Sequence, residues 1–597
     1  MKKMVDLAKR SNTLLKTGLM LIQRKGSIIK NNMQLKIFCY LATWIVVVAS
    51  IAQVNSVRDS IEQIVQKWMP PLSDSTPGFS TIVVLDGKTI YHKMTGSADL
   101  EMSVPIMEQT LFNIGSTSKQ FTAFLILLLE EEGKLSIEDS VKKYLPEYNV
   151  FQQYPVKIKH LLFHTSGLRE LLSMLQLGGW KDDDVYSDYD NKYLLSRQAG
   201  LNFTPGTMRQ YCNTNYFTLA LIIEHITGKK FSAFCKEKIF SPLQMTTAIV
   251  ADNHQAIITN KANSYNTYKS EGRLNYSPSD DWYGHGGIYC TITDLKKWAD
   301  NFTMQKIGSV TLYKKFFSKG AFDNGKPVQD YGYGWFHFDY KGITDLEQDG
   351  ARLGFRTGLL FFPEKKVYII TLCNARDIPY TDLRERMADY LFKNQLQTQQ
   401  KNDGVTIPVF TPIVKTEEQL KQYEGLYWDR AGDQVRKIYL KNNTLYADDF
   451  TLVPEGENLF RIKDGANITG SKVHFFKKSG ISHWQMDYLR GRSVSFKSDN
   501  SFSYEWVDST RNISLNEFEG TFYSYELDVK FEVKSQEDFL EVLIRGYEQP
   551  VKITCVFKNY FNSDFGGFYF QQDKQKIKGF IFINPKVNNV VFKKISF

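Results

Sequence analysis

Hydrophobic residues recur at helical spacing in three stretches of the chain. Asn55–Met69 places its apolar side chains on one face, which predicts an amphipathic helix. The stretch NYFTLALIIEHITGKKF, residues 215–231, predicts a helix that ends at Gly228, because glycine is favoured at helix C-termini. A third helix is predicted over Asp382–Phe392. Residues 130–280 contain few strand-like runs, and we expect them to form a mainly helical lobe.

Strand-like patterns lie on both sides of that lobe. Residues 80–94, STIVVLDGKTIYHKM, predict a hairpin that turns at Asp86-Gly87, a strong hairpin signal. Residues 357–375, TGLLFFPEKKVYIITLCNA, predict a second hairpin that turns at residues 363–366. This order of elements predicts an α+β domain, in which an antiparallel sheet is flanked by helices and stands beside an all-helical lobe.

The last third of the chain has a different pattern, made of short alternating strands after a polar linker predicted at residues 396–415. The stretch LKQYEGLYW at residues 420–428 recurs as LNEFEGTFY at residues 515–523, a period of 95 residues. Each unit has room for about eight short strands, the size of a small β-barrel. We therefore predict a main domain and two all-β barrel-like repeats, over residues 55–395, 416–508 and 509–597.

The positive charge of the chain is concentrated at its N-terminus. The net charge is +9, and residues 1–36 alone carry +8, because they hold nine Lys or Arg and one Asp. The rest of the chain is nearly neutral and has no basic stripe, which argues against a nucleic-acid partner. The uncharged stretch that follows, residues 37–52, is sixteen residues long. That is short for a membrane span of about 20 residues and typical of a signal peptide.

We therefore expect residues 1–54 to be a basic leader with a signal peptide that is cleaved after Ala52. An uncleaved signal anchor is the alternative, and translation from Met33 instead of Met1 would give a more compact signal peptide. In each case we expect the body of the protein to be exported, to the periplasm or the cell exterior. Membrane contact would occur only through this N-terminal segment.

The cysteines do not form a pattern of disulfides or metal ligands. One of the six lies in the leader and the other five are widely scattered, so we expect buried free thiols. His160 and His164 are four residues apart but have no third ligand nearby in the sequence. We expect neither a metal nor a cofactor.

The candidate chemistry begins at FNIGSTSKQFTA, residues 112–123, which runs directly into the apolar stretch FLILLL. Ser116 and Lys119 are three residues apart and would lie one helical turn apart on one face. A lysine desolvated by such a helix loses proton affinity and becomes a base next to a nucleophile. The alternative is that Ser116 caps the helix and Lys119 is a solvated residue of its first turn.

Four further stretches join this one. They are HLLFHTSGL, PGTMRQYCNTNYFTLALIIEHITG, GHGGIYCTITDLKKWA and YGYGWF, which begin at residues 160, 205, 284 and 331. In combination and order, the five stretches resemble the penicillin-recognising serine hydrolases, which include class C β-lactamases, D-alanyl-D-alanine carboxypeptidases, D-aminopeptidases and related esterases. The resemblance covers about residues 55–395 and implies a β-lactamase-like fold. The tail of two barrels is similar to the arrangement of the D-aminopeptidases.

The resemblance implies a role for each matching residue. Ser116 would be the acylated nucleophile and Lys119 its proton acceptor. Tyr211 and Asn213 match a Tyr-x-Asn motif, in which Tyr211 would be a second general acid or base and Asn213 would orient Lys119 and the substrate amide. We expect a cationic lysine to stabilise the phenolate of Tyr211. The backbone N–H of Ser116, at a helix start, suits one side of an oxyanion hole.

The third motif of the family departs from its usual form. Gln348-Asp349-Gly350 stands where His-x-Gly is usual. Gly350 is kept, and the N–H of Ala351 would be the second oxyanion donor. Gln348 would contact substrate as a neutral donor, and Asp349 adds a negative charge nearby. The change puts carboxylate recognition in doubt, unless Arg352 or Arg356 supplies a cation from the following turn.

The sequence thus predicts an exported serine hydrolase that transfers an acyl group to Ser116 and then to water. The expected substrates are small amides, esters, β-lactams or D-amino-acid peptides, including peptides of the cell wall. The alternative of another class is a non-catalytic relative that keeps the pocket and acts as a ligand-binding or sensor protein.

Overall fold

The computed structural model describes residues 56–69, 71–181, 184–268, 272–396, 412–429, 434–448, 450–464, 467–487, 495–497, 501–507, 514–574 and 576–595. The predicted leader at residues 1–54 and most of the predicted linker at residues 396–415 lie outside these ranges. Across the described ranges, the helices are too short or too polar to traverse a bilayer. The first predicted helix is present at residues 56–68.

The main domain is built on an antiparallel sheet of eight strands. In spatial order, seven of the strands are Tyr331–Gly332, Trp335–Tyr340, Ile343–Glu347, Phe355–Phe362, Val367–Cys373, Phe79–Leu85 and Lys88–Thr95. The eighth, Gly350–Arg352, pairs with Phe355–Phe362. Both predicted hairpins are present, and the first turns through Asp86 (φ 48°) and Gly87 (φ 76°), where left-handed backbone favours these residue types.

Helices cover both faces of this sheet. Phe361 packs on Phe302 of the helix Ile292–Met304, with ring centroids 5.4 Å apart. The next residue, Phe362, packs on Phe392 of the helix Tyr380–Phe392 on the opposite face, at 4.6 Å. Adjacent strand residues point to opposite faces, so a strand that is covered on both sides needs apolar residues throughout. Val367–Cys373, VYIITLC, has this pattern and is buried along its whole length.

The predicted helical lobe lies between the two groups of strands. Its longest helix, Asn213–Thr227, ends at Gly228 in the left-handed conformation (φ 65°), as the sequence predicts. The other α-helices of the main domain, apart from those already named, are Lys119–Glu131, Asn149–Gln153, Ile158–Leu162, Leu171–Leu177, Asp188–Arg197, Phe231–Cys235 and Val310–Phe316. Short strands in this part of the chain are Ser97–Asp99, Val104–Pro105, Phe112–Asn113, Met208–Gln210, Ile249–Val250, Tyr265–Tyr268, Gly272–Asn275 and Ile288–Cys290.

Each C-terminal repeat forms a closed antiparallel barrel of eight strands, which confirms the predicted fold class. Barrel 1 follows the short helix Glu417–Lys421 and consists of Gly425–Asp429, Gln434–Lys441, Thr444–Ala447, Phe450–Pro454, Leu459–Asp464, Asn467–Lys478, Ile481–Asp487 and Ser501–Val507. Barrel 2 consists of Gly520–Ser524, Val529–Ser535, Leu540–Ile544, Val551–Phe557, Tyr560–Ser563, Gly566–Asp573, Lys576–Asn584 and Val587–Ile595.

Both barrels contact the main domain next to the candidate site. A short strand between the last two strands of barrel 1, Ser495–Lys497, pairs antiparallel with Met208–Gln210, the strand that leads into Tyr211. Barrel 2 docks through a buried ion pair between its Glu526 and Arg169 of the helical lobe.

Candidate active site

Ser116 and Lys119 lie where a 3-10 turn, Gly115–Ser118, continues into the helix Lys119–Glu131. Lys119 is 0% exposed, so the alternative of a solvated lysine is wrong. Its Nζ lies 2.9 Å from Ser116 Oγ, 2.7 Å from Asn213 Oδ1 and 2.8 Å from the backbone oxygen of His285. Ser116 is half-buried, which leaves its hydroxyl within reach of a ligand.

Burial lowers the pKa of Lys119 from its usual 10.5 to about 7, and the charge of Glu170 opposes this shift. A substantial fraction of the amine is therefore neutral near neutral pH. A neutral amine has two N–H groups and one lone pair. Its N–H groups can donate to Asn213 Oδ1 and to the His285 carbonyl, which directs the lone pair at the Ser116 hydroxyl. The geometry suits a base next to a nucleophile.

Tyr211 completes the group of side chains around Lys119. Its ring centroid is 4.9 Å from Lys119 Nζ, and its hydroxyl lies near the side chains of Ser116 and Gln348. Burial raises the pKa of Tyr211 above its usual value of 10.0, and this outweighs the opposing effect of those two polar neighbours. The direction is opposite to the one expected from the sequence, because burial of the phenol is not visible there. Near neutral pH, Tyr211 is a proton donor.

Asn213 is the first residue of the helix Asn213–Thr227, and its Oδ1 accepts a hydrogen bond from Lys119 Nζ. Its backbone N–H and its side-chain Nδ2 both donate to the carboxylate of Glu170, at 2.5 Å and 3.0 Å. Glu170 is 4% exposed and is the main residue of the site that the sequence analysis misses. The available signal is its position, two residues after the HTSGL stretch and directly before the helix Leu171–Leu177.

The predicted oxyanion donors lie close together. Gly350 packs so tightly on the turn before Ser116 that a Cβ there would lie 1.9 Å from the Ile114 oxygen. In the same way, a Cβ on Gly115 would lie 2.6 Å from the backbone nitrogen of Ala351. Glycine is therefore required at both positions, and the Ala351 N–H is brought next to the start of the 3-10 turn. The first N–H groups of a helix, here including Ser116, have no partner within it.

The side chains of Gln348 and Asp349 lie in two different environments. Gln348 is 2% exposed and faces Tyr211, and its Nε2 donates to the Asp349 carbonyl at 2.8 Å. Among the described residues, none donates to Gln348 Oε1. The Asp349 side chain points away from Ser116, where it accepts hydrogen bonds from Arg384 and from the Tyr380 hydroxyl. Asp349 thus adds no negative charge on the Tyr211 side of the strand.

The two arginines that follow have partners outside the candidate site. Arg352 is buried, pairs with Asp280 at 2.5 Å and stacks on Trp282 at 4.1 Å. Arg356 donates to the backbone oxygens of Leu353 and Phe355. Both guanidinium groups are therefore engaged in holding the loops beside the site.

The two histidines that the sequence analysis considered lie in separate environments. His160 Nε2 bonds Asp323 at 3.0 Å, whereas His164 Nδ1 accepts from the backbone N–H of Cys212 at 3.1 Å. In the described ranges, no group of three or more His, Cys, Asp or Glu side chains could hold a metal ion. The five cysteines outside the leader are free thiols, and four of them are buried.

Comparison with known proteins agrees with this geometry. The chain is 29% identical to penicillin-binding protein 4* of Bacillus subtilis (strain 168) over 326 residues, which are 52% of this chain and 71% of that protein. It is 26% identical to a D-aminopeptidase of Cereibacter sphaeroides over 302 residues, which are 50% of this chain and 57% of that protein. The match thus spans only part of each relative's length.

A solved structure described as SurE covers 77% of this chain and 100% of its own, with a TM-score of 0.52 and 18% identity, which shows a common fold. Residues 57–391 match the family described as Beta-lactamase. They make up more than half of the 597 residues of the chain. The chain belongs to the beta-lactamase family.

Proposed function

We propose that the protein is a serine hydrolase that forms an acyl-enzyme on Ser116 and releases the acyl group to water. The observation that carries this proposal is the 2.9 Å contact between Ser116 Oγ and the Nζ of the buried Lys119. Lys119 takes the serine proton as Oγ attacks the substrate carbonyl. The N–H groups of Ser116 and Ala351 then stabilise the oxyanion.

Tyr211 serves as the acid of the first step. Its hydroxyl lies near Ser116, and its raised pKa keeps it protonated near neutral pH. It can donate its proton to the leaving group and recover one from Lys119, whose Nζ lies beside the ring at 4.9 Å from its centroid. Water then attacks the acyl-enzyme, and the same groups return the proton to Ser116.

The proposed substrates are small amides, esters, β-lactams or D-amino-acid peptides. This range rests on the names of the relatives, penicillin-binding protein 4* and D-aminopeptidase. Within it, we propose that neutral substrates are favoured over substrates with a free carboxylate. The support is that Gln348 is neutral and that Arg352 and Arg356 are both engaged elsewhere.

The test is covalent labelling of the purified protein with a fluorophosphonate and with a fluorescent penicillin, read by intact mass and peptide mapping. We expect one label, on Ser116, and none on Ser116→Ala. Ser140→Ala is the matched control, because Ser140 and Lys143 have the same spacing, and Lys143 is instead an exposed partner of Asp139. Absence of label under every condition would overturn the proposal and favour a ligand-binding protein.

A hydrolysis panel then defines the substrate. It compares a β-lactam, a D-alanyl peptide, a D-amino-acid amide and a short neutral ester at equal concentrations, each with Ser116→Ala as the blank. We expect the neutral ester and the amide to give the larger kcat/KM values. Preference for the penicillin would contradict the proposed selectivity but not the assignment of Ser116 as the nucleophile.

A further inference from the structure

The carboxylate of Glu170 lies behind Asn213, on the side opposite Lys119. Its two oxygens accept the backbone N–H and the side-chain N–H of Asn213, at 2.5 Å and 3.0 Å. An asparagine amide has one oxygen and one NH₂ group. Because the NH₂ group is committed to Glu170, the oxygen must face Lys119 Nζ, which lies 2.7 Å away. The carboxylate therefore fixes which end of the amide the lysine meets.

We propose that Glu170 is a positioning residue of the acyl-transfer reaction, acting on Lys119 through Asn213. The inference rests on the proposed function, because it requires Lys119 to be the base. Glu170 does not touch Ser116, and its contact with the catalytic lysine runs through the Asn213 amide. Without the carboxylate, the Asn213 amide loses the acceptor that defines its orientation, and Lys119 loses one of its three fixed contacts.

Glu170 also acts on Lys119 through its charge, which raises the pKa of the lysine against the effect of burial. The nearby arginines, Arg209 and Arg352, are paired with Asp330 and Asp280. The histidine, tyrosine and cysteine side chains around Lys119 are neutral near pH 7. Burial lowers the pKa values of His164 and His285 and raises those of Tyr211, Tyr216 and Cys212. Removing the Glu170 charge should therefore favour the neutral form of Lys119 at lower pH.

Barrel 2 holds the Glu170 segment in place. The backbone N–H of Glu170 donates to the Lys586 carbonyl at 3.0 Å, in the turn between the last two strands of the barrel. The preceding residue, Arg169, pairs with Glu526 and donates to the Asn588 carbonyl at 2.8 Å. This contact gives barrel 2 a role in the reaction, since it fixes the backbone that carries the positioning carboxylate.

The test is the pH profile of kcat/KM for a neutral ester, or of the fluorophosphonate labelling rate, in the full-length protein. In the wild type the rate should rise with pH through about 7, as Lys119 loses its proton. In Glu170→Gln we expect this acid limb to move down by about one pH unit. We also expect the plateau to fall about tenfold, because Asn213 is no longer held in one orientation.

Glu526→Gln is the matched control, since it removes a buried carboxylate from the same interface without contact to Asn213. It should reduce stability and lower the plateau, because Arg169 loses its partner in barrel 2, but it should leave the acid limb at the wild-type pH, because the Glu170 charge is kept. If the limb of Glu170→Gln stays at the wild-type pH, or if that of Glu526→Gln moves equally, the inference is overturned.

Glu170→Asp decides the question if Glu170→Gln does not fold. It keeps the charge and draws the carboxylate back from Asn213, so we expect the wild-type limb with a lower plateau. A wild-type plateau in Glu170→Asp would overturn the inference. A wild-type protein that is never acylated, at any pH, would instead overturn the proposed function itself, so the two failures are distinguishable.

Discussion

Lys119 and Gln348, on two sides of the cleft, differ in how completely their polar atoms are hydrogen-bonded. On the base side, Lys119 is fully buried and its Nζ meets Ser116, Asn213 and a backbone carbonyl at 2.7–2.9 Å. On the strand side, Gln348 is equally buried, yet its Oε1 has no donor among the described residues. The neighbouring Asp349 is turned away to Arg384.

The difference separates chemistry from recognition. Nucleophile and base need fixed geometry, and the three contacts of Lys119 Nζ provide it. Recognition needs polar groups that are free to bind a ligand. A buried acceptor without a donor destabilises the fold by about 1–3 kcal/mol until a ligand supplies the donor. Gln348 Oε1 would accept an N–H from substrate and would repel a carboxylate. The comparison is consistent with the proposed acyl transfer and with the proposed preference for neutral substrates.

The largest effect should come from Lys119→Met, which removes the base and keeps most of the side-chain volume. We expect kcat/KM for a neutral ester to fall about 10³-fold, since a positioned base contributes between about 10² and 10⁴. Lys143→Met is the matched control, because Lys143 is exposed, pairs with Asp139 and lies three residues after a serine, as Lys119 does. Comparable activity in Lys119→Met would place the base elsewhere.

Tyr211→Phe should have the next largest effect, about 10²-fold in kcat/KM, because it removes the proton donor and keeps the ring beside Lys119. Tyr216→Phe is the control, since that ring also lies near Nζ, at 5.8 Å, and its hydroxyl donates to the Leu162 carbonyl. The control should lose stability and keep its rate. Equal rate losses in the two variants would mean that Tyr211 acts through packing alone.

Local sequence patterns were sufficient to predict much of this molecule. The turn at Asp86-Gly87, the helix end at Gly228 and the two eight-stranded barrels depend on short-range residue preferences and on a visible repeat. The approach of Lys119 to Ser116 follows from their spacing at a helix start, and the lowered pKa follows from the apolar helix beyond them.

The missing features depend on contacts between distant parts of the chain. Glu170 hydrogen-bonds to Asn213, which is 43 residues away in the sequence. Its backbone N–H donates to barrel 2, more than 400 residues away. No local pattern contains either contact. The sign of the pKa shift of Tyr211 depends on burial of its ring, which packs on His164, Tyr331 and Phe336, and sequence spacing does not report these contacts. The direction of the Asp349 side chain could not be predicted without its partner Arg384, which lies on the helix Tyr380–Phe392.

A smaller effect should follow Gln348→His, which adds a group that can become cationic on the recognition side. We expect the ratio of kcat/KM for a penicillin to that for a neutral ester to rise about 10- to 100-fold below pH 6.5. The range corresponds to a charged hydrogen bond of about 1.5–3 kcal/mol. Gln348→Leu is the control, because it removes the amide without adding charge, and its ratio should not rise. An unchanged ratio in Gln348→His would show that carboxylate recognition does not depend on this position.

The smallest effect on selectivity should come from Asp349→Asn. Because the Asp349 carboxylate faces Arg384 and Tyr380, we expect the penicillin-to-ester ratio to stay at the wild-type value, alone and combined with Gln348→His. The effect should appear in stability instead. Arg384 is buried and would lose one of its two carboxylate partners, at a cost of about 1.5–3 kcal/mol in the free energy of unfolding.

Glu347→Gln is the matched control for Asp349→Asn, since Glu347 is the other carboxylate on Arg384, at 2.6 Å. Both variants leave a buried guanidinium with one anionic partner, so thermal denaturation should show similar destabilisation of the main domain. A selectivity change in Asp349→Asn that Glu347→Gln does not share would mean that the charge at position 349 reaches the substrate. In that case the strand side would carry a repulsive group, and the preference for neutral substrates would have two causes rather than one.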